Sequence, residues 1–183
     1  QTENMYGTYF SNPLSELILN ENYSRSTQVY VNAFADIKLW KGLVFRTEYA
    51  ANYNYNTGYR FTPSYDYEFF KQQSSASRSA GNGSNWTLKT YLTYNGTFGK
   101  HNVSVMAGHE AQENNWESLD GSRTNFLFNS VHELNAGDAT TAKANSSRGS
   151  SAIESYFGRL NYNFADRYLL TATLRADGSS SFA

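Results

Sequence analysis

The stretch SYFGRLNYNFADRYLLTATLRADGSSSFA, from Ser155 to Ala183, decides the fold class. It holds two alternating runs joined by a polar turn at 165–167. Side chains of a strand point to opposite faces in turn, so each run has one face of aromatic and aliphatic residues and one polar face. Aromatic residues near the strand ends, with small or aliphatic residues between them, are typical of a lipid-facing barrel strand. The stretch therefore predicts a β-hairpin of the outer-membrane type.

Composition narrows the class of protein. The 183 residues are 16% aromatic and 17% charged, and the charged share lies below the roughly 25% of ordinary soluble domains. A mixture rich in Tyr, Asn, Thr and Gly favours strands and turns over helices. No run of apolar residues reaches the length of a transmembrane helix. Cysteine is absent, which excludes disulfides and thiol chemistry, and the net charge of −1 disfavours nucleic-acid binding.

The alternation recurs in four earlier runs. The predicted strands are about 25–39, 43–56, 85–98, 102–113, 153–164 and 167–177, each antiparallel to its neighbours. Short turns at Lys41, Lys100 and Asp166 should share one end of the sheet, and long loops from Thr57 to Ser84 and from Asn114 to Ala152 the other. Loops of this length are uncommon in soluble domains but usual on the extracellular side of barrels. We therefore predict an all-β, antiparallel transmembrane β-barrel segment of about six strands.

The two faces of these strands carry different side chains. We expect the apolar face to contact lipid through Phe45, Tyr49, Leu88, Leu92, Val105, Leu160, Leu170 and Leu174. The polar face should line the lumen or touch a plug through Arg46, Glu48, Lys89, Glu110, Arg159, Arg175 and Asp177. Alternatively, these seven residues are polar only because any water-facing barrel interior is polar, and they have no specific contact.

Aromatic residues are concentrated in the first predicted loop. They are Tyr59, Phe61, Tyr65, Tyr67, Phe69 and Phe70. Flat rings with polar tips suit sugars and peptides, so these residues are candidates for contact with a substrate or partner. The alternative is packing against a neighbouring loop or against a partner lipoprotein.

No pattern indicates catalysis, a metal or a cofactor. The three histidines, His101, His109 and His132, lack metal-ligand spacing, and we interpret the acidic residues of the second loop as solvated turn residues. Motifs of serine hydrolases and of phosphate-binding loops are absent. We therefore expect a protein that is not an enzyme.

Several segments resemble the SusC/RagA family of TonB-dependent outer-membrane transporters. The strongest similarity is in the final hairpin, at 156–162, 166–175 and 177–182. Weaker matches follow the family order: Asn12-Pro13-Leu14, the turn at 41–43 with 45–47, and 101–103 with 108–110. The resemblance implies a partial TonB-dependent receptor barrel over residues 1–183, taken from a barrel of about 22 strands. Its plug domain and remaining strands would lie outside this chain, which fits an opening decapeptide without signal-peptide character.

The resemblance also implies a function and partners. Such a protein imports glycans or peptides across the outer membrane of a Gram-negative cell. A SusD-like surface lipoprotein forms the lid, TonB acts through the missing plug region, and the strands contact membrane lipid. Two other architectures remain open at this point: a passive porin or surface adhesin barrel, and a soluble β-sandwich lectin.

Overall fold

A computed structural model describes residues 20–67 and 70–182. Its strands are β1 (Glu21–Trp40), β2 (Leu43–Thr62), β3 (Tyr65–Tyr67), β4 (Phe70–Gln72), β5 (Ser75–Phe98), β6 (His101–Thr124), β7 (Lys143–Phe164) and β8 (Tyr168–Ser179). The six long strands form one antiparallel sheet in the order β1-β2-β5-β6-β7-β8. Short 3-10 turns lie at Leu134–Ala136, Ala139–Thr141 and Ser180–Phe182. No helix within the described ranges is long and apolar enough to span a bilayer. The predicted all-β meander is confirmed.

The predicted loop boundaries are wrong, because four strands extend well into them. Residues 57–62 belong to β2, 75–84 to β5, 114–124 to β6 and 143–152 to β7. The extensions of β5, β6 and β7 are rich in Ser, Gly and Asn and have no regular apolar alternation, so that signal stops before the strand does, whereas β2 continues with Tyr59 and Phe61 on one face. Backbone pairing requires no apolar side chains, and it continues where both faces can meet water.

Two true loops remain. The first loop, 63–74, contains the small antiparallel hairpin of β3 and β4, in which Tyr65 pairs with Gln72 and Tyr67 with Phe70. The second loop, 125–142, contains two of the 3-10 turns. Both are shorter than predicted and partly ordered by their own hydrogen bonds.

The described residues divide into two compact units, named here by the connections they hold. The loop unit comprises 20–27, 55–82 and 117–147, and the turn unit comprises 28–54, 83–116 and 148–182. The predicted charged residues all fall in the turn unit. The first two predicted aromatic residues, Tyr59 and Phe61, fall in the loop unit.

The three short turns share one end of the sheet, as predicted. The backbone N–H of Ala165 donates to the carbonyl oxygen of Lys100 at 2.8 Å, which joins the β7-β8 turn to the β5-β6 turn. In the β7-β8 turn, Ala165 and Asp166 adopt positive φ angles of 54° and 55°. The Asn163 amide supports this conformation: its oxygen accepts from the Asp166 N–H at 3.0 Å, and its nitrogen donates to the Asp166 carboxylate at 2.7 Å.

Gly42 connects the β1-β2 turn to the neighbouring strand. Its φ is +82°, a region that favours glycine, and its carbonyl oxygen accepts the Asn95 N–H at 2.8 Å. A Cβ at this position would lie 2.2 Å from the Asn95 carbonyl oxygen. The turn therefore depends on glycine for two separate reasons, backbone conformation and close approach.

Replacing Gly42 by Ala should weaken barrel assembly in the full-length protein. The positive φ alone costs about 1–3 kcal/mol for a non-glycine residue, and the clash with Asn95 adds to it. Gly99→Ala is the matched control, because Gly99 has a φ of +62° and open space around its absent Cβ. Heat-resistant migration on a gel should fall further for Gly42→Ala than for Gly99→Ala. An equal loss of heat-resistant migration in the two variants would show that the close approach to Asn95 does not affect assembly.

Candidate functional site

A group of charged side chains crosses one face of the turn unit, and we call it the charged band. Its members are Asp36, Arg46, Glu48, Lys89, Glu110, Arg175 and Asp177. Glu110 on β6 is its best-shielded carboxylate, with 16% of the side chain exposed. Lys89 Nζ lies 3.3 Å from Glu110 Oε2, and Arg175 Nη2 lies 3.6 Å from Glu110 Oε1. One carboxylate on β6 thus lies between cations from β5 and β8.

Arg175 extends the charged band to β7. Its Nε donates to Asp177 Oδ1 at 2.7 Å, and its Nη2 donates to the hydroxyl of Ser155 at 2.9 Å. Ser155 is fully buried, so its hydroxyl has the guanidinium as a partner in place of water. The guanidinium therefore connects three strands through one rigid fork of donors.

A second set of contacts joins β1, β2 and β5. Arg46 Nε lies 2.7 Å from Glu48 Oε1 and 3.5 Å from Asp36 Oδ1, and its guanidinium sits 4.8 Å from the centre of the Phe34 ring. The hydroxyl of Tyr91 donates to Glu48 at 3.1 Å. Each charge of this set meets an opposite charge or a hydrogen-bond donor on a neighbouring strand.

The structure brings together six of the seven residues predicted for the polar face. Arg159 lies on the same face of the sheet by alternation but outside the charged band. Its Nε donates to Asn161 at 3.3 Å. Sequence reasoning missed Asp36, Tyr91 and Ser155. The strand register decides these partners, and a single sequence carries no signal for it. Whether the band faces a lumen or a plug stays a prediction.

Two rows of polar-tipped and aromatic side chains cross the opposite, apolar face of the turn unit. In the row farther from the turns, His109 Nε2 lies 3.0 Å from Glu154 Oε1 and its ring packs 4.9 Å from Tyr156. Trp86 Nε1 donates to Glu113 at 3.2 Å on the same face. His109 thus has its own polar partner, Glu154.

The second row lies beside the turns. His101 Nδ1 and the Tyr162 hydroxyl are 2.7 Å apart, and the His101 ring packs 4.7 Å from Phe164. Between the two rows the face is aliphatic and strongly exposed in this chain. Its exposed members include Leu92, Val105, Leu170 and Leu174, all predicted to contact lipid.

The loop unit has a small core, which we call the loop cluster. It contains Tyr59, Phe61, Ala76 and Phe126, with Leu134 and Ala136 packed against it. Phe61 is 1% exposed: Phe126 meets it edge-on at 5.5 Å, and His132 stacks on it at 4.0 Å. The second loop therefore folds onto the end of β2.

Polar contacts hold the second loop in place. Asn129 accepts from the Ser64 N–H at 2.9 Å and donates to the Ser64 carbonyl oxygen at 2.9 Å, which joins the two loops. Arg78 pairs with Glu133 at 2.9 Å, and His132 Nδ1 lies 3.2 Å from Glu21.

Asp138 caps one of the 3-10 turns of the second loop. Its carboxylate accepts from the hydroxyl and the backbone N–H of Thr140 at 2.7 and 2.9 Å. These two bonds stabilise the charged form, and they lower the pKa of the Asp138 carboxyl. The cap is therefore strongest above the usual pKa of an aspartate and weakens as the pH falls through the lowered pKa.

The aromatic prediction needs correction for two residues. Tyr59 and Phe61 lie in β2 and not in a loop, and both are buried in the loop cluster, so intramolecular packing describes them. Tyr65 and Tyr67 lie in β3 and Phe70 in β4, while Phe69 falls outside the described residues. Contact of these four with a substrate or partner stays a prediction.

The described residues hold no group of three or more His, Cys, Asp or Glu side chains that could bind a metal ion. The three histidines are far apart in the fold, and each has its own partner. The chemistry that the site offers is charge complementarity and hydrogen bonding.

Glu110→Gln should destabilise the full-length protein by about 1–3 kcal/mol, because two cations would lose the charge between them. Arg159→Gln is the control, since it removes a charge from the same face outside the band. The urea concentration at the midpoint of unfolding should fall for Glu110→Gln and should stay near the wild-type value for Arg159→Gln. A wild-type midpoint for both would show that the band contributes nothing to stability.

Comparison with known proteins finds relatives among TonB-dependent receptors. No protein-family model matches it. TonB-dependent receptor P3 of Formosa agariphila is 29% identical over 183 residues, which are 100% of this chain and 18% of that protein. TonB-dependent receptor SusC of Bacteroides thetaiotaomicron is 31% identical over 102 residues, 54% of this chain and 10% of that protein. These relatives are receptors and transporters, not enzymes.

Solved structures agree on the fold. The RagAB peptide transporter superposes with a TM-score of 0.86 at 21% identity, over 97% of this chain and 20% of that chain. The siderophore receptor PiuA of Acinetobacter baumannii superposes with a TM-score of 0.56 at 9% identity, over 86% of this chain and 26% of that chain. The chain spans about a fifth of the length of TonB-dependent receptor P3 and of the RagAB chain. Its sequence is similar to TonB-dependent receptors over the whole chain, and its fold is that of a β-barrel segment of the RagAB transporter, in agreement with the resemblance to the SusC/RagA family.

Proposed function

We propose that this segment forms part of the wall of an outer-membrane, TonB-dependent importer of glycans or peptides. One observation carries the proposal: the turn unit separates an aliphatic face, bordered by two aromatic rows, from a face crossed by ion pairs. A soluble sandwich hides its aliphatic face, whereas a barrel strand presents it to lipid.

The spacing of the two rows fits a bilayer. On β6, His101 and His109 are separated by roughly 26 Å along the strand at about 3.3 Å per residue. A strand tilt of roughly 35–45° reduces this to about 20 Å, and the same arithmetic from His101 to Glu113 gives about 30 Å. The apolar band of outer-membrane barrels is about 25 Å tall, between these two values.

The charged band belongs on the water-filled side. A charge facing the middle of the bilayer costs about 2–4 kcal/mol for Lys or Arg, and the band holds Arg46, Lys89 and Arg175. Facing the lumen or a plug, the same groups keep their opposite charges and remain near water. This supports lumen or plug contact for the band and lipid contact for the opposite face.

The sheet needs further strands to cross a membrane. Among the described residues, β1 and β8 each have one neighbour in the sheet, and an open edge in lipid leaves backbone groups unpaired. The matched relatives are about five times longer, which leaves room for the remaining strands and for a plug that TonB would engage. The similarity to SusC and to RagAB supports a SusD-like lipoprotein as partner.

The lipid assignment predicts opposite effects at adjacent positions of β5. Leu92→Arg, on the aliphatic face, should cost about 2–4 kcal/mol, whereas Thr93→Arg, on the polar face, should be tolerated. Folding titrations of the full-length protein into lipid vesicles measure both values. A larger cost for Thr93→Arg would reverse the two faces.

The import function predicts uptake that depends on TonB. A strain lacking the gene should lose uptake of one labelled substrate from a panel of oligosaccharides and peptides, and so should a strain with the gene but without TonB. Complementation with the intact gene should restore uptake. Uptake that persists without TonB would indicate a passive porin, and no loss for any substrate would contradict import.

A further inference from the structure

The loop unit contains a polar groove of about 320 Å³ on the face opposite the loop cluster. Four neighbouring strands contribute its charged and hydroxyl-bearing side chains. These are Arg60 of β2, Ser77 and Ser79 of β5, Asp120 and Ser122 of β6, and Lys143 of β7. Asn22 and Asn145 add amides at the two sides. The groove is therefore rich in hydrogen-bonding groups.

Two cations of this groove have no partner within the described part of the chain. Arg60 and Lys143 are exposed, and neither takes part in an ion pair or a side-chain hydrogen bond among residues 20–67 and 70–182. The arginines and lysine of the charged band in the turn unit are, in contrast, all paired. Arg78, which also lines the groove, is neutralised by Glu133. The free positive charge of the groove therefore comes from Arg60 and Lys143.

Gly58 lines the groove beside Ser79. A Cβ at Gly58 would lie 2.4 Å from the hydroxyl oxygen of Ser79, so a larger residue would require the Ser79 side chain to rotate. Gly58 and Arg60 share a face of β2 by alternation, and that face is opposite to Tyr59 and Phe61.

We propose that the groove binds the anionic group and adjacent hydroxyls of an acidic oligosaccharide, as a substrate subsite of the transporter. The inference rests on the proposed import function and names its substrate class. Arg60 presents a planar fork and Lys143 a point charge to a carboxylate or sulfate. Serine hydroxyls, asparagine amides and the Asp120 carboxylate pair with sugar hydroxyls. An acidic peptide also carries carboxylates but has few hydroxyls for the remaining lining groups.

Side chains alternate between the two faces along β2, so Arg60 lies on the same face of that strand as Arg46 and Glu48. A groove on this face would meet molecules that enter the lumen. The opposite face, in contrast, is covered by the second loop at the loop cluster.

Binding to the purified full-length transporter tests the proposal. The probes are oligogalacturonate and oligoalginate for carboxylates, an oligosaccharide of carrageenan for sulfate, a neutral galacto-oligosaccharide, and a glutamate-rich peptide. The wild type should bind at least one acidic sugar more tightly than the neutral sugar and the peptide. Its affinity for that sugar should fall as salt rises.

The double variant Arg60→Gln with Lys143→Gln should weaken binding of that acidic sugar at least about tenfold and flatten its salt dependence. Arg148→Gln, which removes one charge from β7 outside the groove, should bind like the wild type. Heat-resistant migration on a gel should be unchanged in both variants.

Three outcomes would overturn the proposal: no acidic sugar binds, the double variant binds it as tightly as the wild type, or the glutamate-rich peptide alone binds and loses affinity in the double variant. Uptake separates this failure from failure of the import function. TonB-dependent uptake of another substrate, unchanged in the double variant, overturns the acidic-sugar subsite and leaves import standing. Absence of TonB-dependent uptake for every probe overturns import itself.

Discussion

Pairing of backbone hydrogen bonds is the constraint on which the rest of this structure depends. Lipid offers no partner for an N–H or a carbonyl group, so strands that cross it must be long, continuous and paired on both sides. The meander of six long strands meets this demand with very short turns, of which the β1-β2 turn relies on the positive φ of Gly42 and its close approach to Asn95. Pairing at period two then separates the side chains into two faces, from which both the lipid contact and the charged band follow.

The charged band shows how a polar face can remain well ordered. Glu110 lies between Lys89 and Arg175, and Arg175 also reaches the buried hydroxyl of Ser155. Each of these contacts joins two different strands, and the one between Arg175 and Glu110 spans β7, so together they reinforce the register that the backbone sets.

The proposed groove lies in the loop unit. There the loop cluster of Tyr59, Phe61 and Phe126 fastens the second loop to one side of the sheet. The other side keeps Arg60 and Lys143 free of ion pairs among the described residues. Packing and the proposed binding thus use opposite faces of the same strand extensions.

The amino-acid sequence by itself determined the hairpins, the short turns and the two faces of the turn unit, because alternation is a local property and the residues Tyr156 to Leu174 show it without interruption. It did not show that Ser75 to Ser84 continues β5, since a strand with two polar faces has no hydrophobic period. Only the tertiary structure placed His132 on Phe61, joined Arg175 to Ser155 and brought Arg60 and Lys143 to one groove. These residues are distant in the chain, and the strand register and loop packing that bring them together have no signature in a single sequence.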